Sequence, residues 1–183
     1  DIKFNSYGLA IFHPVTTDIH NLKLNIVTFV KALNKSKKNF ILIYPNNDLG
    51  SKIILNEYKK IRNKNIKIFP SIRFEHYLTL LKNSNFIIGN SSSGIIEAPY
   101  YGVPTINIGS RQKNRANLNS IVNCKYEYKS IIRYINKYSI KKRFKCSYFF
   151  GLGKSNLKVM KILQSNKIWK IVNQKQFKDI TFN

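Results

Sequence analysis

The sequence predicts an α/β fold in which a parallel sheet carries helices on both faces. Three observations lead there. Short apolar runs of strand length recur along the chain, Phe40-Ile41-Leu42-Ile43-Tyr44 being the clearest, as expected where strands are buried on both faces. Between these runs lie segments whose apolar residues repeat at the helical period. Polar, turn-rich loops follow the strands, and the carboxyl ends of the strands are where open parallel sheets bind ligands.

In chain order, Gly8 precedes a first strand, Leu9 to Phe12, which runs into His13-Pro14-Val15-Thr16-Thr17. Leu22, Ile26, Phe29, Val30 and Leu33 form an i, i+4, i+7, i+8, i+11 stripe, which predicts an amphipathic helix. The strand at 40–44 ends in Pro45-Asn46-Asn47-Asp48-Leu49-Gly50-Ser51, a turn-forming loop before a helix with Ile54, Tyr58 and Ile61 on one side. Ile66 to Phe69 reads as the third strand, and Tyr77, Leu78 and Leu81 mark the next helix. Phe86-Ile87-Ile88 is the fourth strand; it stops at Gly89-Asn90 and passes through Ser91-Ser92-Ser93-Gly94 into what reads as a helix start.

Gly102 and Pro104 stop that helix, and Pro99 inside it removes one N–H and kinks or delays it. Thr105 to Ile108 is the fifth strand, followed by the basic loop Gly109-Ser110-Arg111-Gln112-Lys113-Asn114-Arg115. Ile121-Val122 reads as a small strand and Ile131, Ile132 and Ile135 as a helix. Beyond a loop at 148–156, Ser155 or Asn156 is expected to cap a final helix carrying Val159, Ile162 and Leu163. Trp169 and Ile171 follow, and the last dozen residues read as a polar, poorly ordered tail. Residues 1–165 are expected to form one domain, with 166–183 as an extension or tail.

A chain of 183 residues, 43% hydrophobic and 13% aromatic, can bury a core without disulfide or metal staples. Cys124 and Cys146 have no metal-type spacing, so a reducing, cytoplasmic setting is the expectation. No apolar run is long enough for a membrane span, and the abrupt start at Asp1 suggests a fragment of something longer. The net charge of +24 at first points to nucleic acid. The lysines, however, are scattered through every segment alongside abundant asparagine and isoleucine, which favours a generic solvated basic surface. The fingerprint G-x-G-x-x-G is absent after the first strand, which disfavours a dinucleotide cofactor.

The stretch 86–115 carries most of the chemistry. Hydroxyl residues between a strand and a helix start suit an anion, because N–H groups there lack intrahelical partners and the helix dipole favours negative charge. Glu97 is a carboxylate able to accept from ligand hydroxyls, or a residue that merely complements a dipole. Together with Arg111 and Arg115, these residues point to a phosphorylated, hydroxyl-rich ligand.

The segments FHPVTT, PNNDLGSK, GNSSSGIIEAPYYGVPTINIG and GSRQKNR, in this order and spacing, resemble the second half of the hydrolysing UDP-N-acetylglucosamine 2-epimerases. Within that family the sialic-acid branch is the more similar, and the resemblance spans residues 8 to 165. It implies a Rossmann-like domain that is one half of a GT-B fold, with the nucleotide sugar held in the cleft between two domains. This chain is similar to the C-terminal, nucleotide-binding half, which implies a missing N-terminal domain and a homo-oligomer when full length. No cofactor and no metal are implied.

By the same resemblance, His13 matches a histidine near the diphosphate that is also implicated in catalysis. Asn46 matches a residue near the nucleotide, the backbone around Ile72 would meet the uracil edge, and Tyr77 takes the place of an aromatic packed on the base. Ser91 and Ser92 match the diphosphate-binding pair, Glu97 the ribose carboxylate and Arg111 an arginine at the nucleotide, with Arg115 in the same loop. The implied reaction is anti elimination of UDP, then hydration of the 2-acetamidoglucal to N-acetylmannosamine. Its acid–base carboxylates belong to the N-terminal domain, so this chain alone is expected to bind UDP without turnover. Two other readings are the nucleotide-sugar half of a GT-B glycosyltransferase, against which GSRQKNR speaks, and a basic nucleic-acid-binding protein.

Overall fold

The computed structural model describes residues 6–140, 142–172 and 174. The expected poorly ordered tail lies almost wholly outside them. The chain divides into two compact units, Asp1–Ser147 and Tyr148–Asn183.

The first unit is built on six strands: β1 (Gly8–Ile11), β2 (Phe40–Ile43), β3 (Ile66–Phe69), β4 (Phe86–Gly89), β5 (Thr105–Ile108) and β6 (Ile121–Cys124). They form one sheet in the order β3-β2-β1-β4-β5-β6, and every pairing is parallel. The order reverses between β1 and β4, which makes this the Rossmann arrangement with its switch point there. The helices are α1 (Leu22–Lys35), α2 (Ser51–Tyr58), α3 (Phe74–Asn83), α4 (Glu97–Tyr100) and α5 (Tyr128–Tyr138).

Alternation along the strands sends side chains to opposite faces and yields two cores. Ala10, Phe40, Leu42, Phe86, Ile88 and Ile106 meet Ile26, Phe29 and Leu33 of α1, Ile54 and Tyr58 of α2, and Ile131 and Ile135 of α5. Leu9, Ile11, Ile41 and Ile87 meet Tyr77 and Leu81 of α3 and Ala98 of α4 on the other face. Helices therefore cover both faces, as the sequence predicts. Buried Glu57 ties α2 to α1 by an ion pair with Lys23 and accepts a second from Lys60 at 2.8 Å. Those two hydrogen bonds hold its carboxyl below the ordinary carboxylate range.

Three expectations need correction. Ile61 is not part of a helix: α2 ends at Tyr58, and Ile61 is buried in the turn beyond it. The segment after Ser91 is not a continuous helix but a 3-10 turn, Ser92–Gly94, followed by the four residues of α4. Pro99 has no N–H to bond the Ile95 carbonyl, which breaks the run between the 3-10 turn and α4, and Gly102, at a φ of +64°, ends α4. In the second unit, neither Ser155 nor Asn156 caps the last helix, α6 (Ser155–Leu163); Lys154 holds the cap position and no side chain bonds there. Val159, Ile162 and Leu163 of α6 are exposed, and the Trp169 indole N–H donates to Leu163 C=O at 2.9 Å.

Candidate functional site

The switch point needs β1 and β4 to approach closely, and Gly89 is what permits it. Its φ is +134°, and a Cβ there would lie 1.8 Å from the Ile11 carbonyl oxygen. The two strand ends then deliver His13 and Asn90 to each other. The His13 N–H donates to Asn90 Oδ1 at 2.7 Å, and Asn90 Nδ2 donates back to the His13 carbonyl at 2.8 Å. Asn90 is wholly buried, so these bonds form where no water competes.

Asn90 also gathers two further elements. Arg111, on the loop after β5, donates from Nη1 to the Asn90 carbonyl at 3.0 Å. The Tyr126 hydroxyl lies beside the Asn90 side chain, while its ring packs 5.9 Å from Phe12 between ring centres. From the loop after β2, the Asn46 N–H donates to His13 Nδ1 at 3.1 Å, and Asn46 Nδ2 donates to Asp48 Oδ2 at 2.5 Å. Burial and the neighbouring Arg111 cation push the His13 imidazole down to about 4, against weaker opposing effects of Asn46 and Asp48.

A cavity of about 230 Å³ opens beside this joint, lined by His13, Tyr44, Ile72, Phe74, Tyr77, Ser91, Ser92, Ser93 and Glu97 among others. The structure thus brings together six of the sequence-predicted residues directly, namely His13, Ile72, Tyr77, Ser91, Ser92 and Glu97. Asn46 and Arg111 join them through His13 and Asn90. Arg115 is different: exposed, it donates to Gln112 Oε1 at 2.7 Å within its own loop and does not line this cavity. Lys113 and Ser110 of that loop face a second cavity of about 490 Å³, with Asp18, Lys125 and Tyr126.

The short turn at 92–94 changes how an anion could be held. The Ser93 N–H is used by Ser91 Oγ at 3.3 Å, and those of Gly94, Ile95 and Ile96 by the carbonyls of Ser91 and Ser92. The serine hydroxyls, rather than a long helix dipole, are the polar groups presented here. Tyr77 is buried with its hydroxyl bonded to Ser93 Oγ, and burial raises it well above the usual phenol range. Its ring stacks on Phe74 with centres 6.4 Å apart, and Phe74 is 62% exposed. On the cavity wall, Glu97 Oε2 is buried and, among the described residues, without a hydrogen-bond partner.

Asn90, Ser93, Phe74 and Tyr126 were not singled out from the sequence as site residues. Only Asn90 carries a local sign, a polar side chain directly after a strand-ending glycine; the others depend on contacts distant in sequence.

A family model described as UDP-N-acetylglucosamine 2-epimerase matches residues 1–164. Over 182 residues the chain is 40% identical to the UDP-N-acetylglucosamine 2-epimerase of Neisseria meningitidis serogroup B, covering 98% of this chain and 48% of that protein. It is 38% identical over 143 residues to the polysialic acid biosynthesis protein P7 of Escherichia coli, covering 74% of this chain and 37% of that one. Among solved structures, the UDP-GlcNAc 2-epimerase of Methanocaldococcus jannaschii, in complex with UDP-GlcNAc and UDP, superposes with a TM-score of 0.67 at 23% identity, covering 86% of this chain and 45% of that one. That likeness is one of fold, and it matches the expected half of a GT-B arrangement. The chain spans about half the length, or less, of the curated relatives it matches. With the six-stranded parallel sheet and a family match over residues 1–164, the chain belongs to the UDP-N-acetylglucosamine 2-epimerase family.

Proposed function

We propose that this chain is the UDP-binding half of a hydrolysing UDP-N-acetylglucosamine 2-epimerase. Ser91 and Ser92 hold the diphosphate, with Arg111 closing the far side as a fork of cationic donors. Glu97 accepts from the ribose hydroxyls. The backbone at Ile72 meets the uracil edge, with Phe74 offering an open aromatic face and Tyr77 supporting it from behind. Arg115 reaches the ligand only if its bond to Gln112 is exchanged for one to phosphate.

One observation carries this reading: Glu97 Oε2, buried at the cavity wall without a partner. A desolvated carboxylate oxygen with no donor is unfavourable, and a vicinal diol supplies the donors it lacks. Elimination of UDP and rehydration of the glycal require acid–base carboxylates within reach of the sugar. Those come from a further domain of the full-length protein, a homo-oligomer in this reading. The likeness to the polysialic acid protein supports a place in sialic or related nonulosonic-acid synthesis. Free Cys124 and Cys146 support a reducing, cytoplasmic setting.

Titration calorimetry with UDP tests the site. UDP is expected to bind, and Glu97→Gln or Ser91→Ala to weaken it about tenfold each, a loss of about 1.4 kcal/mol. Equal affinity in both variants, or steeply salt-dependent nucleic-acid binding with no response to UDP, refutes it. On the full-length protein, free N-acetylmannosamine supports the epimerase, whereas a glycosylated acceptor supports a transferase.

A further inference from the structure

The cavity of about 490 Å³ has no part in the nucleotide reading. Its size is that of a small-molecule site, and it opens at the carboxyl ends of β5 and β6. Its walls are the loop after β5 and the segment after β6, and they are stitched together. The Gly109 N–H donates to the Cys124 carbonyl at 2.8 Å, and the Lys113 N–H closes a turn onto the Ser110 carbonyl at 3.0 Å. Between those two residues, buried Gln112 pins the loop to the body of the domain.

Most of the polar groups on these walls donate. Lys113 and Lys125 bring ammonium groups, and neither pairs with a carboxylate among the described residues. Asn123 Oδ1 is taken by Asn107 Nδ2 at 2.7 Å, which leaves the Asn123 amide N–H groups as its open end. Ser110 adds a hydroxyl. Asp18 is the one acid among the lining residues, and it already accepts from Asn21 and Asn25 at 2.6 and 3.5 Å. Glu127, next along the chain, accepts from Ser130 at 3.2 Å and does not line the cavity. Two unpaired cations in one concavity repel each other, and an anion between them removes that repulsion.

A nucleobase is poorly served here. Tyr126 is the one aromatic among the lining residues, and its ring packs on Phe12 and Gly109, where a Cβ would stand 2.5 Å from ring atoms. That ring is spent on packing, whereas Phe74 at the other cavity stands 62% exposed.

We propose that this cavity binds a sugar carrying an acid group, phosphate or carboxylate. Lys113 and Lys125 hold the acid, Asn123 and Ser110 donate to the sugar oxygens, and Asp18 accepts from a hydroxyl. The cavity shares no lining residue with the one beside Ser91 and Ser92, and touches it only through Tyr126, Asn90 and His13. The proposal does not depend on the UDP reading.

Amide ¹H–¹⁵N spectra of the labelled chain in low salt test this, with glucose 6-phosphate and glucuronate as probes. Saturable shifts are expected at residues 109–113 and 123–126. Glucose, which lacks the charge, and inorganic phosphate, which lacks the hydroxyls, are expected to bind at least about fivefold more weakly. A tighter fit for glucose 6-phosphate assigns the acid as phosphoryl, and a tighter fit for glucuronate assigns it as carboxylate; both support the site. Lys113→Ala and Lys125→Ala are expected to weaken the probes about fivefold each. Lys59→Ala combined with Lys67→Ala, at the end of α2 and in β3, is expected to leave them unchanged. All four lysines are exposed, so the fold is retained.

Equal losses in the two pairs, or shifts spread over the whole basic surface, would show net charge alone at work and overturn the proposal. Phosphate binding as tightly as glucose 6-phosphate, or no saturable shift, overturns it too. Saturating UDP is expected to leave probe affinity within about threefold, and complete displacement would make the cavity part of the nucleotide site. If the probes bind and UDP does not, the UDP reading fails and this one stands.

Discussion

Asn90 and His13 exchange two hydrogen bonds across the switch point of the sheet, side-chain amide to backbone in both directions, at 2.7 and 2.8 Å. No rotation of either residue preserves both, so the end of β1 is keyed to the end of β4. Asn90→Ala strips the backbone N–H and carbonyl of His13 of their partners, while Arg111 keeps its bond to the main-chain carbonyl at position 90. A loss of about 2–4 kcal/mol in denaturant unfolding is expected. A loss under 0.5 kcal/mol would mean that water replaces the amide.

The imidazole of His13 makes stability depend on pH in a defined window. Its value in the fold is about 4, below the ordinary 6.5, so between these values the unfolded chain binds more protons than the folded one. Stability therefore falls as pH drops from 6.5 towards 4, with a slope of at most about 1.4 kcal/mol per pH unit from this group. Above pH 6.5 the contribution is flat. His13→Gln should remove this component of the slope, measurable by urea unfolding at pH 5 and pH 7.

Gly89→Ala is expected to abolish the fold or cost upwards of about 3 kcal/mol. The new methyl would sit 1.8 Å from the Ile11 carbonyl at a φ of +134°, with backbone on the opposing side and nothing flexible to yield. Gly151→Ala is the control: its φ is +110°, but nothing lies within 4 Å. A cost of about 1–2 kcal/mol is expected there. Similar melting temperatures for both variants would refute the close-approach argument.

Glu97→Leu should separate stability from binding. The substitution removes a buried carboxylate oxygen that lacks a partner, so the unliganded chain is expected to gain up to about 1 kcal/mol. UDP should then no longer raise its melting temperature. A destabilised variant would show that Glu97 serves the fold.

Tyr77→Phe tests the support behind the cavity. Deleting the hydroxyl leaves Ser93 Oγ short of a buried donor, and a cost of about 1–2 kcal/mol is expected. An unchanged unfolding midpoint would show the hydroxyl to be dispensable.

What could be read in advance follows from how local the signal is. β2 and β3 are announced by contiguous apolar residues, and α1 by its own stripe, because each is specified within one stretch of chain. The ladder order then follows from crossover rules, and the loops at its carboxyl ends fall together as a consequence. Glu97 and Ser91 were legible through their motif. The segment after Ser91 holds a conflict of its own, where the missing N–H of Pro99 splits the helical pattern and Gly102 stops it, as the sequence predicts. Asn90 could not be ranked because its partners, His13, Arg111 and Tyr126, come from three other segments. Phe74 was hidden in the same way, since its open face appears only once Tyr77 turns inward to Ser93.

The position of β1 between β2 and β4 has a consequence for how the chain is made. β2 follows β1 closely, whereas β4 arrives only after two further helices and a strand have been synthesised. Until then β1 presents an open apolar edge, Leu9, Ala10 and Ile11, to whatever strand is nearest. A large loop must close before Gly89 seats against Ile11, which makes that seating a slow, entropy-limited step. Growing chains that stop short of residue 89 hold half a sheet and no ligand site.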